Sequence, residues 1–325
     1  MDGIAVIIVN FNSGELLGHC LESLARQQSA PRRILVVDNA SSDGSADAVA
    51  RFPGVELLRE PVNRGFAAAM NTGVDAASDC GWIAALNPDA TAAPDWIAVL
   101  EAAIRAEPYC ASFACRLLDA HDPSRLDGAG DVYHLSGLPW RYLHGAPDLP
   151  SRRVRREVFG PCAAGALYRR QALVDCGGFD ADLFCYAEDV DVAFRLRLLG
   201  MRCLYLPEAL VYHLGSAIVG QASDFQIYHG HRNLVWVFVK NMPAALFWPL
   251  LPVHLALNLV SIAWFARLGR GATILRAKRD ALRGLPLMWR KRRAIQRRRT
   301  VPARRIWRAL HKGLWRADRA AGGPS

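Results

Sequence analysis

Short apolar runs alternate with segments of helical spacing through the first hundred residues, and this alternation constrains the fold more than any other feature. Consecutive parallel strands need a crossover connection, and an amphipathic helix supplies one. The pattern therefore predicts βαβ units and a mostly parallel sheet covered by helices on both faces. The predicted strands are 4–9, 34–38, 55–58 and 82–86, and the predicted helices are 15–26, one after Asp43, 65–77 and one near Pro94.

Polar side chains directly follow three of these strands. In chain order they are Asn10 and Asn12, Asp38 and Asn39, and Asn87 and Asp89. Pro88 cannot extend a central strand, so it forms a stiff corner that displays Asp89 beyond the strand end. An isolated Asn-Pro-Asp is most often an ordinary turn. Ligands of such sheets bind beyond the carboxyl ends of the strands, so three polar ends on one edge predict a binding site.

The loop before the helix at 65–77 has the residue types of an anion-binding loop. Its residues are Asn63, Arg64 and Gly65. Glycine permits close backbone approach, and both the helix N-terminus and an arginine favour phosphate. No G-x-G-x-x-G follows the first strand and no G-x-x-x-x-G-K occurs, so neither a dinucleotide fingerprint nor a P-loop is indicated.

Residues 159–200 hold the densest group of polar candidates. Small residues up to Gly165 leave room for a ligand against the backbone. A helix then opens with Glu188, Asp189 and Asp191. Acids in a first turn often only complement the helix dipole. A carboxylate at the mouth of a site is also what a general base requires, so both interpretations stay open on the residues alone.

Taken together, these stretches resemble the family 2 inverting glycosyltransferases, which have a GT-A-type nucleotide-sugar-binding fold. The closest similarity is to bacterial rhamnosyltransferase-like members that build cell-surface polysaccharide. The resemblance covers about residues 4–242. It rests on VIIVNFNS (6–13), VVDNASSDGS (36–45), NRGFAAAMNTG (63–73), LNPDA (86–90), GPCAAGALYRR (160–170), GGFDADLFCYAEDVDVAFRLRLLG (177–200) and YH (212–213).

The resemblance implies a donor site and a metal site at the predicted edge of the sheet. The donor-binding set is Asn10, Asp38, Asn63, Arg64, Gly65, Asn87, Asp89, Gly165 and Arg232. Asp38 would contact the base or ribose, and Arg232 would reach the diphosphate. Asn87-Pro88-Asp89 stands where the family carries its D-x-D signature, so Asn87 replaces the first acid. Asp89 and His213 would bind Mn²⁺ or Mg²⁺, although a lone histidine is more often structural.

For catalysis, Glu188 and Asp189 resemble the family's E-D pair. In an inverting transfer, one base takes the proton of the acceptor hydroxyl as it attacks the anomeric carbon. Asp189 is the expected base and Glu188 the alternative, because adjacent carboxylates can share a titration. Asp191 is expected to be a helix-start residue.

The C-terminal part of the chain differs in composition, which predicts a catalytic domain at 1–242 and a separate region at 243–325. Residues 244–266 contain no Lys, Arg, Asp or Glu, and residues 267–319 carry a net charge of +17 in a chain of net charge +10. The apolar segment could be a span, a re-entrant helix, an interfacial helix or a buried helix. The basic segment favours an anionic membrane surface over nucleic acid, because it directly follows the apolar stretch.

The sequence thus predicts a membrane-associated enzyme that moves a sugar, with dTDP-rhamnose as the expected donor, onto a glycan or lipid-linked acceptor. The expected location is the cytoplasmic face of the plasma membrane, since the eight scattered cysteines fit a reduced compartment and no signal peptide is recognisable. The alternatives are a nucleotidyltransferase with a related sheet and an inactive membrane-tethered binding module.

Overall fold

The structure is a computed structural model that describes residues 3–215 and 223–313. The strands are β1 (Ile4–Asn10), β2 (Arg33–Asp38), β3 (Val55–Arg59), β4 (Trp82–Leu86), β5 (Ala90–Ala92), β6 (Cys110–Asp119), β7 (Leu126–Gly128), β8 (Asp131–Tyr133), β9 (Pro139–Arg141), β10 (Arg156–Val158), β11 (Gly165–Arg169) and β12 (Arg202–His213). The helices are α1 (Leu16–Ala25), α2 (Phe66–Ala76), α3 (Trp96–Ala106), α4 (Arg170–Cys176), α5 (Glu188–Leu198), α6 (Asp224–Asn241), α7 (Ala244–Arg267), α8 (Gly271–Arg283), α9 (Leu285–Arg298) and α10 (Ala303–Ala309).

The main sheet has the strand order β10-β12-β6-β11-β4-β1-β2-β3, with β5 paired to β12 and β7 to β6. β3, β2, β1 and β4 run parallel, as the alternation predicts. β11 is inserted antiparallel between β4 and β6, and β10 and β5 pair antiparallel with β12. β6 and β12 also pair parallel with each other. The sheet is therefore mixed: the predicted parallel strands form, and antiparallel strands are added to them.

Two hydrophobic clusters cover the two faces of the sheet. Alternate residues of β1 enter different clusters: Ile8 packs with Trp96 of α3, whereas Ile7 packs with Met70 of α2. This two-sided burial explains why β1 reads as an unbroken apolar run.

The predicted helix after Asp43 forms as a 3₁₀ helix, Ser45–Arg51.

The helices after residue 242 share a third buried cluster with the sheet domain. Met288 of α9 and Ile306 of α10 belong to the same cluster as Tyr133, Phe194 and Phe238. α7 continues as one helix through both of its prolines. The division of the chain at residue 242 stays a prediction, but the two regions pack as one body.

Candidate active site

Asn10 and Asp38 end adjacent parallel strands and are register partners. The Asn10 amide Nδ2 donates to Asp38 Oδ1 at 2.9 Å and to Ser45 Oγ at 2.9 Å, while its Oδ1 accepts from Ser13 Oγ. Asn10 is completely buried, so its observed role is to orient Asp38. Asp38 Oδ2 lies 3.5 Å from Arg59 Nη1. Contact of either residue with a donor stays a prediction.

Interlocked asparagines fix the loop before α2. Asn39 Nδ2 donates to Asn63 Oδ1, and Asn39 Oδ1 accepts from the backbone N–H of Arg64, both at 2.9 Å. Asn63 Oδ1 also accepts from the Gly65 N–H at 2.9 Å. The Arg64 guanidinium lies 3.3 Å from the Glu60 carboxylate. The predicted loop residues are therefore brought together beside the end of β2.

Gly65 is required by a neighbouring loop. Its φ is +81°, and a Cβ there would lie 2.5 Å from the carbonyl oxygen of Phe184. That carbonyl also accepts from the Ala67 N–H at 3.1 Å, at the start of α2. The close approach that the sequence assigned to a ligand is thus made by the loop that leads into α5.

The predicted metal ligands meet at the Asn-Pro-Asp corner. His213 Nε2 lies 3.3 Å from Asp89 Oδ1 and 3.5 Å from Asn87 Nδ2. On its other side, His213 Nδ1 lies 2.8 Å from Asp127 Oδ2. His213 and Asp89 are both buried. Although burial favours the neutral imidazole, the hydrogen bonds to Asp127 and Asp89 raise the pKa of His213.

This arrangement fits a divalent cation. A carboxylate on Nδ1 fixes the ring so that Nε2 presents its lone pair, as in many metal-binding histidines. Oxygen and imidazole ligands suit Mn²⁺ and Mg²⁺. Across residues 3–215 and 223–313, no group of three or more His, Cys, Asp or Glu side chains converges as a metal site. The protein would therefore supply Asp89 and His213, and phosphate oxygens and water the remaining ligands.

Strand β7 and the β8–β9 hairpin, which the sequence analysis missed, add three charged residues. Asp127 lies on β7, and Asp131 and Arg141 are register partners on β8 and β9. The Arg141 guanidinium pairs with the Asp127 carboxylate. Burial raises the pKa of Asp131 well above its usual value, and the charge of Asp189 adds to this effect. These strands are only three residues long, so periodicity gives no signal for them.

Glu188 and Asp189 differ in their surroundings. Glu188 is buried, and among the residues that the structure describes its Oε2 has no hydrogen-bond partner. Burial, followed by the charge of Asp189, raises the pKa of Glu188 well above its usual value. Asp189 accepts from the Ala163 N–H at 3.2 Å and the Val190 N–H at 2.7 Å. Burial raises its pKa as well, but these bonds stabilise the ionised form.

Short contacts join this pair to the metal corner. Ala163 donates to Asp189, and the carbonyl of the next residue, Ala164, accepts from the Asn87 N–H at 3.3 Å. The charge of Arg141 also acts on Asp189, favouring its ionised form. The expected base and the expected metal ligands thus belong to one site.

Two other predicted donor residues have different observed neighbours. A Cβ on Gly165 would lie 2.9 Å from Leu117 Cδ2, so the missing side chain makes room for strand packing. Arg232 Nη2 donates to the carbonyls of Asp182 at 3.1 Å and Leu183 at 2.9 Å. Both residues hold protein structure here, and their contact with a donor stays a prediction.

Asp191 has a larger role than a helix start. It is fully buried and lies 2.7 Å from Arg195 Nη2 and 3.0 Å from Lys240 Nζ. The i,i+4 spacing of Asp191 and Arg195 is the sequence signal that could have revealed this pair.

Comparison with known proteins agrees with this geometry. The family model described as Glycosyl transferase family 2 matches residues 5–177. An N-acetylglucosaminyl-diphospho-decaprenol L-rhamnosyltransferase of Mycobacterium tuberculosis is 30% identical over 266 residues, which cover 74% of this chain and 85% of the relative. A poly-beta-1,6-N-acetyl-D-glucosamine synthase of Staphylococcus aureus is 22% identical over 81% of this chain and 63% of the relative.

Solved structures share the fold. GalNAc-T7 with UDP, GalNAc and Mn²⁺ aligns with a TM-score of 0.59 at 18% identity, covering 74% of this chain and 48% of that one. The mannosyltransferase PcManGT of Pyrobaculum calidifontis, with GDP-Man and Mn²⁺, aligns with a TM-score of 0.54 at 22% identity, covering 92% and 85%. The fold is thus GT-A-like, and the chain belongs to glycosyl transferase family 2 and is a glycosyltransferase.

Proposed function

We propose that this enzyme is an inverting transferase that moves rhamnose from dTDP-rhamnose onto a lipid-linked glycan in cell-surface polysaccharide synthesis. The relative named as a rhamnosyltransferase supports rhamnose as the transferred sugar and a lipid diphosphate as the acceptor, because the similarity extends over 85% of that relative's length. The observation that carries the proposal is the joining of the Asp89–His213 corner to the Glu188–Asp189 pair within one site.

The side chains divide the work of an inverting transfer. Asp38, oriented by Asn10, takes the nucleoside end of the donor at the β2 edge. Asp89 and His213 would hold a divalent cation, which would supply positive charge to neutralise the leaving diphosphate. Asp189 accepts the proton of the acceptor hydroxyl as that oxygen attacks the anomeric carbon from the face opposite the diphosphate. Glu188, kept protonated by burial, leaves Asp189 as the ionised member of the pair.

A donor screen tests this proposal. Purified full-length protein is given a panel of nucleotide sugars and a polyprenyl-diphosphate-linked N-acetylglucosamine, and nucleoside diphosphate release is measured. We expect release with dTDP-rhamnose, loss of release in excess chelator and recovery with Mn²⁺ or Mg²⁺. The product should have the opposite anomeric configuration to the donor. A retained configuration, or full activity in chelator, would contradict the mechanism.

Matched aspartates test the metal ligand. Asp89→Ala removes a buried carboxylate at the corner and should abolish turnover while the protein stays folded. Asp95→Ala removes an exposed carboxylate six residues further on, at the start of α3, and should leave turnover unchanged. Equal activity of the two variants would contradict the assignment of Asp89.

We further propose that α7 lies in the membrane interface at the cytoplasmic face of the plasma membrane. By length and composition, α7 is long and apolar enough to cross a membrane. His254 stacks on Phe238 of α6 with ring centroids 4.0 Å apart, and Phe265 contacts His231 of α6 at 4.9 Å. Because α7 is docked on α6 near its middle and near its C-terminal end, an interfacial orientation is favoured over a span.

The outer face of α7 supplies the contact with lipid. Leu259, Val260 and Trp264 are between 59% and 68% exposed, whereas Phe247 and Leu250 of the same helix are buried. A helix with one docked and one exposed apolar face inserts its exposed face at the headgroup boundary. The +17 charge of residues 267–319 adds attraction to anionic lipids.

A further inference from the structure

Helix α6 directs four polar side chains toward the segment that carries the Glu188–Asp189 pair. They are Arg232, Asn233, Lys240 and Asn241. Each of them has a hydrogen-bond partner within residues 180–191, which lead into α5 and form its first turn. The contact is therefore made by two adjacent residues near the middle of α6 and two at its end.

Asn233 makes the central contact of this group. It is completely buried, and its Nδ2 lies 2.8 Å from the carbonyl oxygen of Leu183, 2.9 Å from that of Cys185 and 2.7 Å from that of Tyr186. An amide nitrogen carries two hydrogens, so the three carbonyls share them. One side chain thus gathers three backbone groups of a single loop.

The backbone that Asn233 gathers is unusual. Phe184, Tyr186 and Ala187 have φ values of +65°, +69° and +63°, in the left-handed region that L-residues rarely adopt. Such residues persist only where the surrounding structure over-determines them, and they concentrate at functional sites. Ala187 directly precedes Glu188, so the path of this loop sets where the catalytic pair begins.

The loop is also held on its other sides. The Phe184 carbonyl lies against Gly65 and accepts from Ala67, at the donor loop. At the end of α6, Lys240 pairs with Asp180, and Asn241 Nδ2 donates to Asp191 Oδ1 at 2.7 Å. The loop therefore lies between the donor loop on one side and α6 on the other.

We infer that Asn233 is a positioning residue of the transfer reaction: it holds the Phe184–Ala187 loop in the conformation that places Asp189 against the donor site. This inference rests on the proposed function. Asn233 acts through the loop carbonyls and contacts neither substrate nor cation. Misplacing a reacting group by about 1 Å can cost a factor of about 10² in rate.

The test compares two asparagines in the full-length protein. Asn233→Ala removes the amide that holds the loop. Asn258→Ala removes an amide on α7 that donates to the His254 carbonyl at 2.7 Å, outside the site. For each variant we would measure kcat, donor KM, melting temperature and hydrogen exchange of residues 180–187. If Asn233→Ala does not fold, Asn233→Ser, which keeps one donor, takes its place.

For Asn233→Ala we expect kcat to fall about tenfold or more, donor KM to change less than about threefold, and exchange to accelerate mainly in residues 180–187. The Asn258→Ala control should keep kcat within about twofold. Unchanged kcat, or exchange that rises evenly through the whole protein, would overturn the positioning role. A wild-type protein that transfers no sugar would instead overturn the proposed function, and the positioning role with it.

Discussion

Replacing Asp189 with asparagine should nearly abolish transfer without unfolding the protein. The carboxylate accepts two backbone N–H groups, from Ala163 and Val190, and an asparagine side chain of the same shape keeps one acceptor oxygen for them. The loss of one hydrogen bond costs about 0.5–1.5 kcal/mol of stability. The loss of the general base costs a factor of about 10²–10⁴ in kcat, or about 2.7–5.5 kcal/mol of activation free energy.

The matched variant is Glu188→Gln. Burial raises the pKa of Glu188 well above its usual value, which favours the protonated side chain, and an uncharged amide resembles that form closely. We expect Glu188→Gln to keep kcat within about tenfold of the wild type, because it removes no ionised base. The two variants therefore differ in the one property that the mechanism needs, a carboxylate that is ionised when the acceptor arrives.

The assay is the release of nucleoside diphosphate under saturating donor and acceptor, together with the affinity for the nucleoside diphosphate alone. Affinity should change little in either variant, because neither carboxylate is assigned to the donor. An inactive Glu188→Gln together with an active Asp189→Asn would refute the reasoning and reverse the two roles. Loss of affinity in Asp189→Asn, at unchanged kcat, would show that Asp189 binds the donor.

Three further measurements test other parts of the structure. Asp127→Asn should raise the Mn²⁺ concentration for half-maximal activity by about 10–100-fold, because Asp127 orients the His213 ring; an unchanged requirement would remove Asp127 from the metal site. Leu259→Glu should lower the affinity for anionic vesicles by about tenfold or more, since burial of a leucine contributes about 1.5–3 kcal/mol. Val174→Glu, at an exposed position on α4, should leave that affinity unchanged. Release of the wild type by salt alone, with tight salt-sensitive RNA binding, would favour nucleic acid as the partner. Glu188→Gln should raise the melting temperature at pH 8 more than at pH 5. The pKa of Glu188 is raised in the folded protein, so the wild type loses stability as pH rises above the ordinary value of 4.5, and the glutamine variant does not. An equal gain in melting temperature at both pH values would contradict this.

Local patterns were enough to predict the first half of the fold. The strand predicted at 34–38 forms as Arg33–Asp38, and the helix predicted at 65–77 forms as Phe66–Ala76. Apolar periodicity carries this information because each element buries its own face. The direction of β11 could not be read in the same way, because an apolar run has the same appearance in a parallel and an antiparallel strand.

The site was only partly predictable for a related reason. Asp89 lies just beyond β4, so its position at the sheet edge could be anticipated, whereas His213 ends β12 and was assigned from the family resemblance alone. Asp127 and Arg141 reach the site through three-residue strands, which are too short to show a periodicity in the sequence. Asn233 lies in a helix, and its function depends on the unusual backbone of a loop about fifty residues earlier, which no local pattern reveals.

The cluster that buries Ile306 and Leu310 beside Tyr133 has a consequence for the order in which the protein is made. Leu135 N–H donates to the His311 carbonyl, and His311 N–H to that of Tyr133, so residues about 175 positions apart are joined by backbone bonds. Folding during synthesis proceeds from the N-terminus. While the ribosome still holds residue 310, Tyr133 and Phe194 lack this cover. We therefore expect the nascent chain to expose that apolar surface after α7 has emerged, so that the proposed contact of α7 with lipid can precede completion of this buried cluster.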